Sequence, residues 1–114
     1  MNQPLPIPEV DPAEAARLAD TGDVLLLDVR EDNEWDSGHT PRASHVPLGS
    51  LDPVAVPRDR PVVAVCRSGG RAGKAAQALA QAGHDVRNIA GGMQAWAKAG
   101  LPVQAADGTP GTVA

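Results

Sequence analysis

The sequence predicts an α/β fold with three layers, in which helices cover both faces of a small, mainly parallel central sheet. Two observations lead to this prediction. Residues 24–29 (VLLLDV) and 61–65 (PVVAV) are continuous apolar runs of strand length, as expected of strands covered on both faces. Segments with helical spacing alternate with the strands, which favours a parallel sheet. With 114 residues, the chain is long enough for one domain.

Nine elements are expected, in this order: an edge strand at 7–10, a helix at 12–19, a buried strand at 24–29, a short polar helix at 31–37, a short strand at 43–47, a buried strand at 61–65, a helix at 71–82, a strand at 86–89 and a helix at 93–99. Asp11 precedes a proline, and Glu14 follows it by three residues, which is a typical helix start. Gly22 interrupts the apolar pattern before the first buried strand, and Gly38 turns the chain after the polar helix.

The second half of the chain carries similar signals. Alanine and leucine recur at helical spacing after Arg71 until Gly83 stops that helix. Gly91 and Gly92 precede the last helix, which Gly100 ends.

Both ends of the chain have compositions that differ from the rest. Residues 1–6 are rich in proline, and we expect an extended N-terminal segment. Residues 104–114 are small and polar, and we expect a disordered C-terminal tail.

Composition and charge exclude several functional classes. The chain is 42% hydrophobic and 21% charged, which is ordinary for a globular domain. The net charge of −4 has the wrong sign for a protein that neutralises phosphates, so no nucleic-acid partner is expected. Because no apolar run is long enough to span a bilayer and the start lacks a signal sequence, we expect a cytoplasmic protein with no membrane partner.

Charges are distributed unevenly along the chain. Ten acidic residues lie within 9–36, and the acidic cluster at 31–36 is expected to be a solvated face. Residues 58–74 contain five basic residues against one acidic residue, so an anionic ligand is favoured there. The only cysteine, Cys66, lies inside this basic stretch. It cannot form an internal disulfide and is either buried and inert or used chemically.

Cys66 begins a loop, CRSGGR at 66–71, between a predicted strand and a predicted helix. Its two glycines let successive backbone N–H groups point inward, and the helix that follows adds its free amides and its positive dipole end. Arg67 and Arg71 add positive charge. These groups favour the thiolate of Cys66, which is the nucleophilic form, and they attract anionic substrates.

Other interpretations of these residues are weaker. A buried structural cysteine would not need flanking arginines and a glycine-rich loop. The segment 69–74 departs from the nucleotide-binding loop, because Ser68 stands in place of its first glycine and Ala75 in place of its serine or threonine. The three histidines have no metal-ligand spacing with Cys66, so neither a metal nor a cofactor is expected.

Three ordered segments together resemble a single-domain rhodanese, a member of a sulfurtransferase family, over residues 7–103. The segments are DVRE at 28–31 with Trp35 and GH at 38–39, the loop at 66–71, and GGMQAW at 91–96 with AGLPV at 99–103. The resemblance implies a rhodanese-like domain at 7–103. In one region the chain departs from the family pattern, since Arg42 stands where relatives usually have a turn glycine.

The resemblance also implies a reaction. Cys66 takes a sulfane sulfur from a small anionic donor such as thiosulfate, becomes a persulfide, and passes the outer sulfur to cyanide, a thiol or a sulfur-accepting protein. Arg67 and Arg71 hold the charged end of the donor, and the backbone from 67 to 71, with Ser68, Gly69 and Gly70, surrounds the sulfur. Asp28 and Arg30 support the site, either as a plain ion pair or with Arg30 at the rim.

Two alternative functions are a cysteine phosphatase or arsenate reductase and a non-catalytic binding module. Related folds and cysteine phosphatases place five residues between the cysteine and the arginine, a loop that fits phosphate or arsenate. Here four residues separate Cys66 from Arg71, which favours a smaller ligand such as one terminal sulfur. Rhodanese-like domains also occur as non-catalytic binding modules, but those usually lack the cysteine.

Overall fold

The computed structural model describes residues 5–114 and contains a five-stranded parallel sheet flanked by helices. The strands are β1 (Glu9–Val10), β2 (Leu25–Asp28), β3 (Ser44–His45), β4 (Val62–Val65) and β5 (Val86–Ile89), in the order β1-β5-β4-β2-β3. The helices are α1 (Pro12–Asp20), α2 (Asp32–Ser37), α3 (Gly70–Gln81) and α4 (Gly92–Lys98), with a 3-10 turn at Leu48–Ser50. The α/β prediction is confirmed, and every described strand pair is parallel.

Alternate residues of the central strands build two separate cores, one on each face of the sheet. One face packs against α3, with Leu27, Val62 and Ala64 from the strands and Ala75, Ala76 and Leu79 from the helix. The opposite face packs against α1 and α4, with Leu26, Val63 and Val65 from the strands and Ala15, Met93 and Trp96 from the helices. Continuous apolar runs are needed because both faces of β2 and β4 are covered. The predicted three layers are therefore confirmed.

The predicted start of α1 is confirmed. The side chain of Asp11 accepts a hydrogen bond from the backbone N–H of Glu14 at 2.8 Å, which caps α1. Of the edge strand expected at 7–10, residues 9 and 10 form β1, which pairs with β5. Among the described helices, none is long and apolar enough to cross a bilayer.

The order of the strands brings the carboxyl ends of β2 and β4 side by side. Asp28 is the last residue of β2, and it pairs in register with Val65, the last residue of β4. Cys66 follows Val65 directly, so it lies just beyond the carboxyl ends of the central strands, where ligands bind in open α/β folds.

The C-terminal segment at 104–114 differs from the disordered tail that the sequence predicts. Gln104 pairs with both His39 and Pro110, and the N–H of Thr112 donates to the carbonyl of Ser37 at 3.0 Å. Val113 packs against the core beneath α1 and α4. The segment lacks an apolar pattern because backbone hydrogen bonds, rather than buried side chains, hold most of it. Of the extended segment expected at 1–6, the first four residues lie outside the described residues.

Arg42 fits its turn although the family pattern has glycine there. The N–H of Ala43 donates to the carbonyl of Thr40 at 3.1 Å, and no residue other than glycine in the described chain has a positive φ. The turn therefore needs no left-handed residue at position 42. The exposed Arg42 side chain instead forms an ion pair with Asp20, 3.3 Å away.

Candidate active site

Cys66 lies immediately after β4 and is almost completely buried, with 1% of its surface exposed. Every residue of β4 is buried, which fixes the strand between the two cores and sets the position of the cysteine. The loop that follows joins β4 to α3, as predicted. Only a small reacting atom can reach a sulfur that is this deeply placed.

The loop turns back over the sulfur at Gly69. The backbone N–H of Gly69 donates to Sγ of Cys66 at 3.0 Å. Gly69 has φ of 130°, in a region that glycine adopts far more easily than other residues. The backbone thus requires glycine at the residue that brings a donor to the sulfur.

Several other amides of the loop remain available. Within residues 5–114, no acceptor pairs with the backbone N–H groups of Arg67, Ser68, Gly70, Arg71 and Ala72. The last three belong to the first turn of α3, where the helix dipole is positive. The loop therefore combines one amide on the sulfur with further donors that can bind an anion, as the sequence predicts.

Arg71 closes the loop, but its charge is already paired. Its Nη1 and Nη2 atoms donate to the two carboxylate oxygens of Glu34 on α2, at 2.5 and 2.8 Å. This hydrogen-bonded pair lowers the pKa of Glu34 to about 2, and the same hydrogen bond raises the pKa of Arg71. The acidic cluster at 31–36 was expected to be a solvated face, and that expectation is wrong for Glu34, whose side chain is only 14% exposed.

Arg67 lies on the outer side of the loop and is exposed. Its Nε atom donates to the main-chain oxygen of Ala114 at 2.8 Å. The C-terminal segment therefore reaches the Cys66 loop, a contact that the sequence did not indicate.

Removing the charge of Glu34 is expected to change how the stability of the protein depends on pH. The folded-state pKa of about 2 lies below the ordinary value of 4.5, so Glu34 stabilises the fold above pH 4.5 and loses this effect as pH falls toward 2. We expect Glu34→Gln to lower the free energy of unfolding by about 1–2 kcal/mol at pH 7 and much less near pH 2. Urea unfolding at several pH values measures this. A difference between the two proteins that stays constant from pH 6 to pH 2.5 would contradict it.

The start of α4 holds the loop from the other side. The N–H groups of Met93 and Gln94 donate to the carbonyls of Cys66 and Arg67, at 2.7 and 3.0 Å. Gly92 has φ of 62°, and a Cβ atom there would lie 2.5 Å from the carbonyl oxygen of Cys66. The sequence marks the glycine pair at 91–92 only as the start of the last helix and as part of the family resemblance. Its physical role is to let the two backbones meet.

Asp28 and Arg30 form a fully buried ion pair, with no exposed surface on either residue. The Nε and Nη2 atoms of Arg30 donate to the carboxylate of Asp28 at 2.8 to 3.1 Å. Nη2 also donates to the carbonyl of Gly38, at the end of α2. Arg30 therefore does not lie at the rim of the site. It fixes the end of the helix that carries Glu34.

Side-chain stacking also fixes α2. The ring of Trp35 stacks on those of His39 and His45, with centroids 3.7 and 4.7 Å away. The Nε2 atom of His45 hydrogen-bonds to the carbonyl of Arg30 at 2.8 Å. The position of Glu34 beside the loop is thus held by buried and stacked groups.

An apolar cavity in the described chain lies away from Cys66. It has a volume of about 270 Å³ and is lined by residues of β2, of the segment at 44–46 and of the segment at 50–57, including Leu25, Leu27, Val46 and Val56. No residue of the Cys66 loop lines this cavity. The loop itself, rather than a large pocket, is the candidate site.

Comparisons with known proteins agree with this geometry. A family model described as rhodanese-like domain matches residues 11–99. A sulfurtransferase of Allochromatium vinosum is 46% identical over 96 residues, covering 81% of this chain and 89% of the relative. A rhodanese-related protein from Thermoplasma volcanium has a similar structure, with a TM-score of 0.77, 26% identity and coverage of 84% and 96%. A protein from Rhodopseudomonas palustris, described as a possible tyrosine phosphatase, has a TM-score of 0.76, 28% identity and coverage of 86% and 85%.

Proposed function

This chain belongs to the rhodanese-like domain family, and we propose that it transfers a sulfane sulfur through a persulfide on Cys66. The donor is thiosulfate or another persulfide donor, and the acceptor is cyanide, a thiol or a sulfur-accepting protein. The similar sulfurtransferase of Allochromatium vinosum supports transferase activity in general terms. The observation that carries the proposal is the loop, which points one amide at Sγ of Cys66 and has others with no acceptor among residues 5–114.

The proposed reaction has two half-reactions. In the first, the thiolate of Cys66 attacks the outer sulfur of thiosulfate, the S–S bond of the donor breaks, and sulfite leaves with the bonding electron pair. In the second, cyanide attacks the outer sulfur of the persulfide, thiocyanate leaves, and the thiolate is restored. The negative charge stays near the loop amides throughout, where hydrogen-bond donors and the start of α3 stabilise it.

Intact-mass spectrometry tests the proposal directly. We expect the protein to gain the mass of one sulfur atom after incubation with thiosulfate and to lose it when cyanide is added, with formation of thiocyanate. If the reduced protein gains no sulfur from thiosulfate or from any other persulfide donor, the proposed function is wrong.

Two other functions give different results in the same assays. A non-catalytic binding module in which the buried Cys66 is inert would gain no sulfur from any donor. A phosphatase would hydrolyse an aryl phosphate. The similar structure from Rhodopseudomonas palustris makes this assay worthwhile, although the four residues between Cys66 and Arg71 favour a smaller ligand than phosphate.

A further inference from the structure

The two arginines of the loop are bound by different partners. Arg71 is bidentate to the carboxylate of Glu34, so the pair carries no net charge. Glu34 and Arg71 are 14% and 33% exposed, so water screens their pairing only in part. The bound side chains put a carboxylate directly beside the loop where an anionic donor must approach.

We propose that Glu34 is a specificity-determining residue, which limits the use of doubly charged sulfur donors and favours donors that carry one charge or none. This inference rests on the sulfur transfer proposed above. It concerns which donors the loop accepts, and not whether Cys66 reacts. The carboxylate does not touch the donor. It acts by cancelling the charge of the arginine that closes the loop.

The position of Arg71 makes this effect act on the reacting sulfur. Arg71 is the second residue of α3, and its backbone N–H has no acceptor in the described part of the chain. Gly69, two residues before Arg71, donates its backbone N–H to Sγ of Cys66 at 3.0 Å, so Arg71 belongs to the segment that turns over the sulfur. Removing the charge of Glu34 therefore leaves the guanidinium of Arg71 without a counter-charge and strengthens its attraction for an anionic donor.

Coulomb's law gives the effect a recognisable signature. Removing the carboxylate adds one net positive charge near the donor, and the resulting free energy is proportional to the donor's own charge. The fold-change for a dianion is then the square of the fold-change for a monoanion. At water-like screening and a separation of about 6 Å, this amounts to about threefold for a monoanion and about tenfold for a dianion.

Thiosulfate and methanethiosulfonate are a suitable pair of donors. Both carry a terminal sulfur on a sulfonyl group, but thiosulfate is a dianion and methanethiosulfonate a monoanion. Attack by the Cys66 thiolate on the terminal sulfur breaks the S–S bond in each case, releasing sulfite from the first and methanesulfinate from the second. Both reactions form the same persulfide on Cys66.

The test compares the two donors in the native protein and in Glu34→Gln, using thiocyanate formation at low ionic strength. We expect kcat/KM to rise about tenfold for thiosulfate and about threefold for methanethiosulfonate, and both increases to shrink in high salt. Glutamine keeps an oxygen that can accept from the N–H of Glu31, as Glu34 does at 3.0 Å, so the start of α2 is retained.

Asp36→Asn is the matched control, because it removes the same charge from the same helix. Asp36 is exposed, and its side chain makes no ion pair in the described part of the chain. We expect kcat/KM to change less than about twofold with either donor, because Glu34, and not Asp36, pairs with the arginine that closes the loop, and water screens the exposed charge of Asp36.

The inference is wrong if Glu34→Gln leaves kcat/KM for thiosulfate unchanged, or if it changes kcat/KM for both donors by the same factor. The latter would indicate only a structural role for Glu34. Thiosulfate binding can also be measured without turnover, in Cys66→Ser and in the double variant that also carries Glu34→Gln. The double variant should bind thiosulfate more tightly. The proposed function and this inference are both supported if the native protein transfers sulfur and Glu34→Gln raises kcat/KM more for thiosulfate than for methanethiosulfonate. Absence of transfer from every donor would overturn the proposed function and, with it, this inference.

Discussion

Replacing Cys66 with serine is expected to lower sulfur transfer by at least about a thousandfold, because the serine hydroxyl does not ionise near neutral pH and cannot hold a persulfide. No other cysteine is present in the sequence to take over the reaction. Thiocyanate formation from thiosulfate and cyanide measures the loss. Serine can still accept the hydrogen bond from Gly69, so the loop has a reason to keep its shape.

Thermal unfolding separates lost chemistry from lost structure in this experiment. Cys66 lies in the core beneath α3, where an apolar replacement of similar size is well tolerated. Cys66→Ala should therefore be as inactive as Cys66→Ser and should unfold within a few degrees of the native protein. If either variant keeps more than about a tenth of the native rate, the covalent mechanism is excluded.

Replacing Asp28 with alanine is expected to cost about 3–5 kcal/mol of stability, a larger loss than that expected for Glu34→Gln. The carboxylate is the only charged partner of Arg30 among the described residues, and neither side chain has exposed surface. Alanine would leave the guanidinium buried without a counter-charge. Since domains of this size have about 5–15 kcal/mol of stability, much of the margin would be lost.

Asp20→Ala is the control for this prediction. Asp20 also pairs with an arginine, but the Arg42 and Asp20 side chains are 63% and 64% exposed, so the pair should contribute less than about 1 kcal/mol. Urea unfolding measures both variants. Similar losses for the two would show that burial does not decide the strength of these ion pairs.

The parts of the fold that the sequence predicts are those set by local pattern. The apolar runs of β2 and β4, the cap at Asp11 and the glycines of the Cys66 loop each act within a few residues. These local patterns predict the parallel sheet and the position of Cys66 just beyond the carboxyl end of a central strand. The proposed nucleophile could be placed because a strand end and a helix start are both visible in the sequence.

The contacts that could not be predicted join residues far apart in the chain. Glu34 and Arg71 are separated by 37 positions, and their pairing depends on how the end of α2 is fixed by Arg30 and Gly38. Neither residue alone carries a signal for this. The rim is the ordinary place for a residue such as Arg30, because charged residues are almost never fully buried unless they are paired.

The order of the C-terminal segment could not be predicted for a related reason. It depends on close backbone contact at Gly38 and Gly111: an added Cβ would lie 2.3 Å from the carbonyl oxygen of Thr112 at the first and 2.8 Å from that of Ser37 at the second. A sequence pattern based on buried side chains does not register this kind of packing.

The contact between Arg67 and Ala114 has a practical consequence for handling the protein. A purification tag or fluorescent label fused after Ala114 would emerge beside Arg67 of the Cys66 loop. The other end of the described chain is anchored elsewhere, since the N–H of Leu5 donates to the side chain of Gln77 in the second half of α3. Activity measurements are therefore better made without a fusion after Ala114.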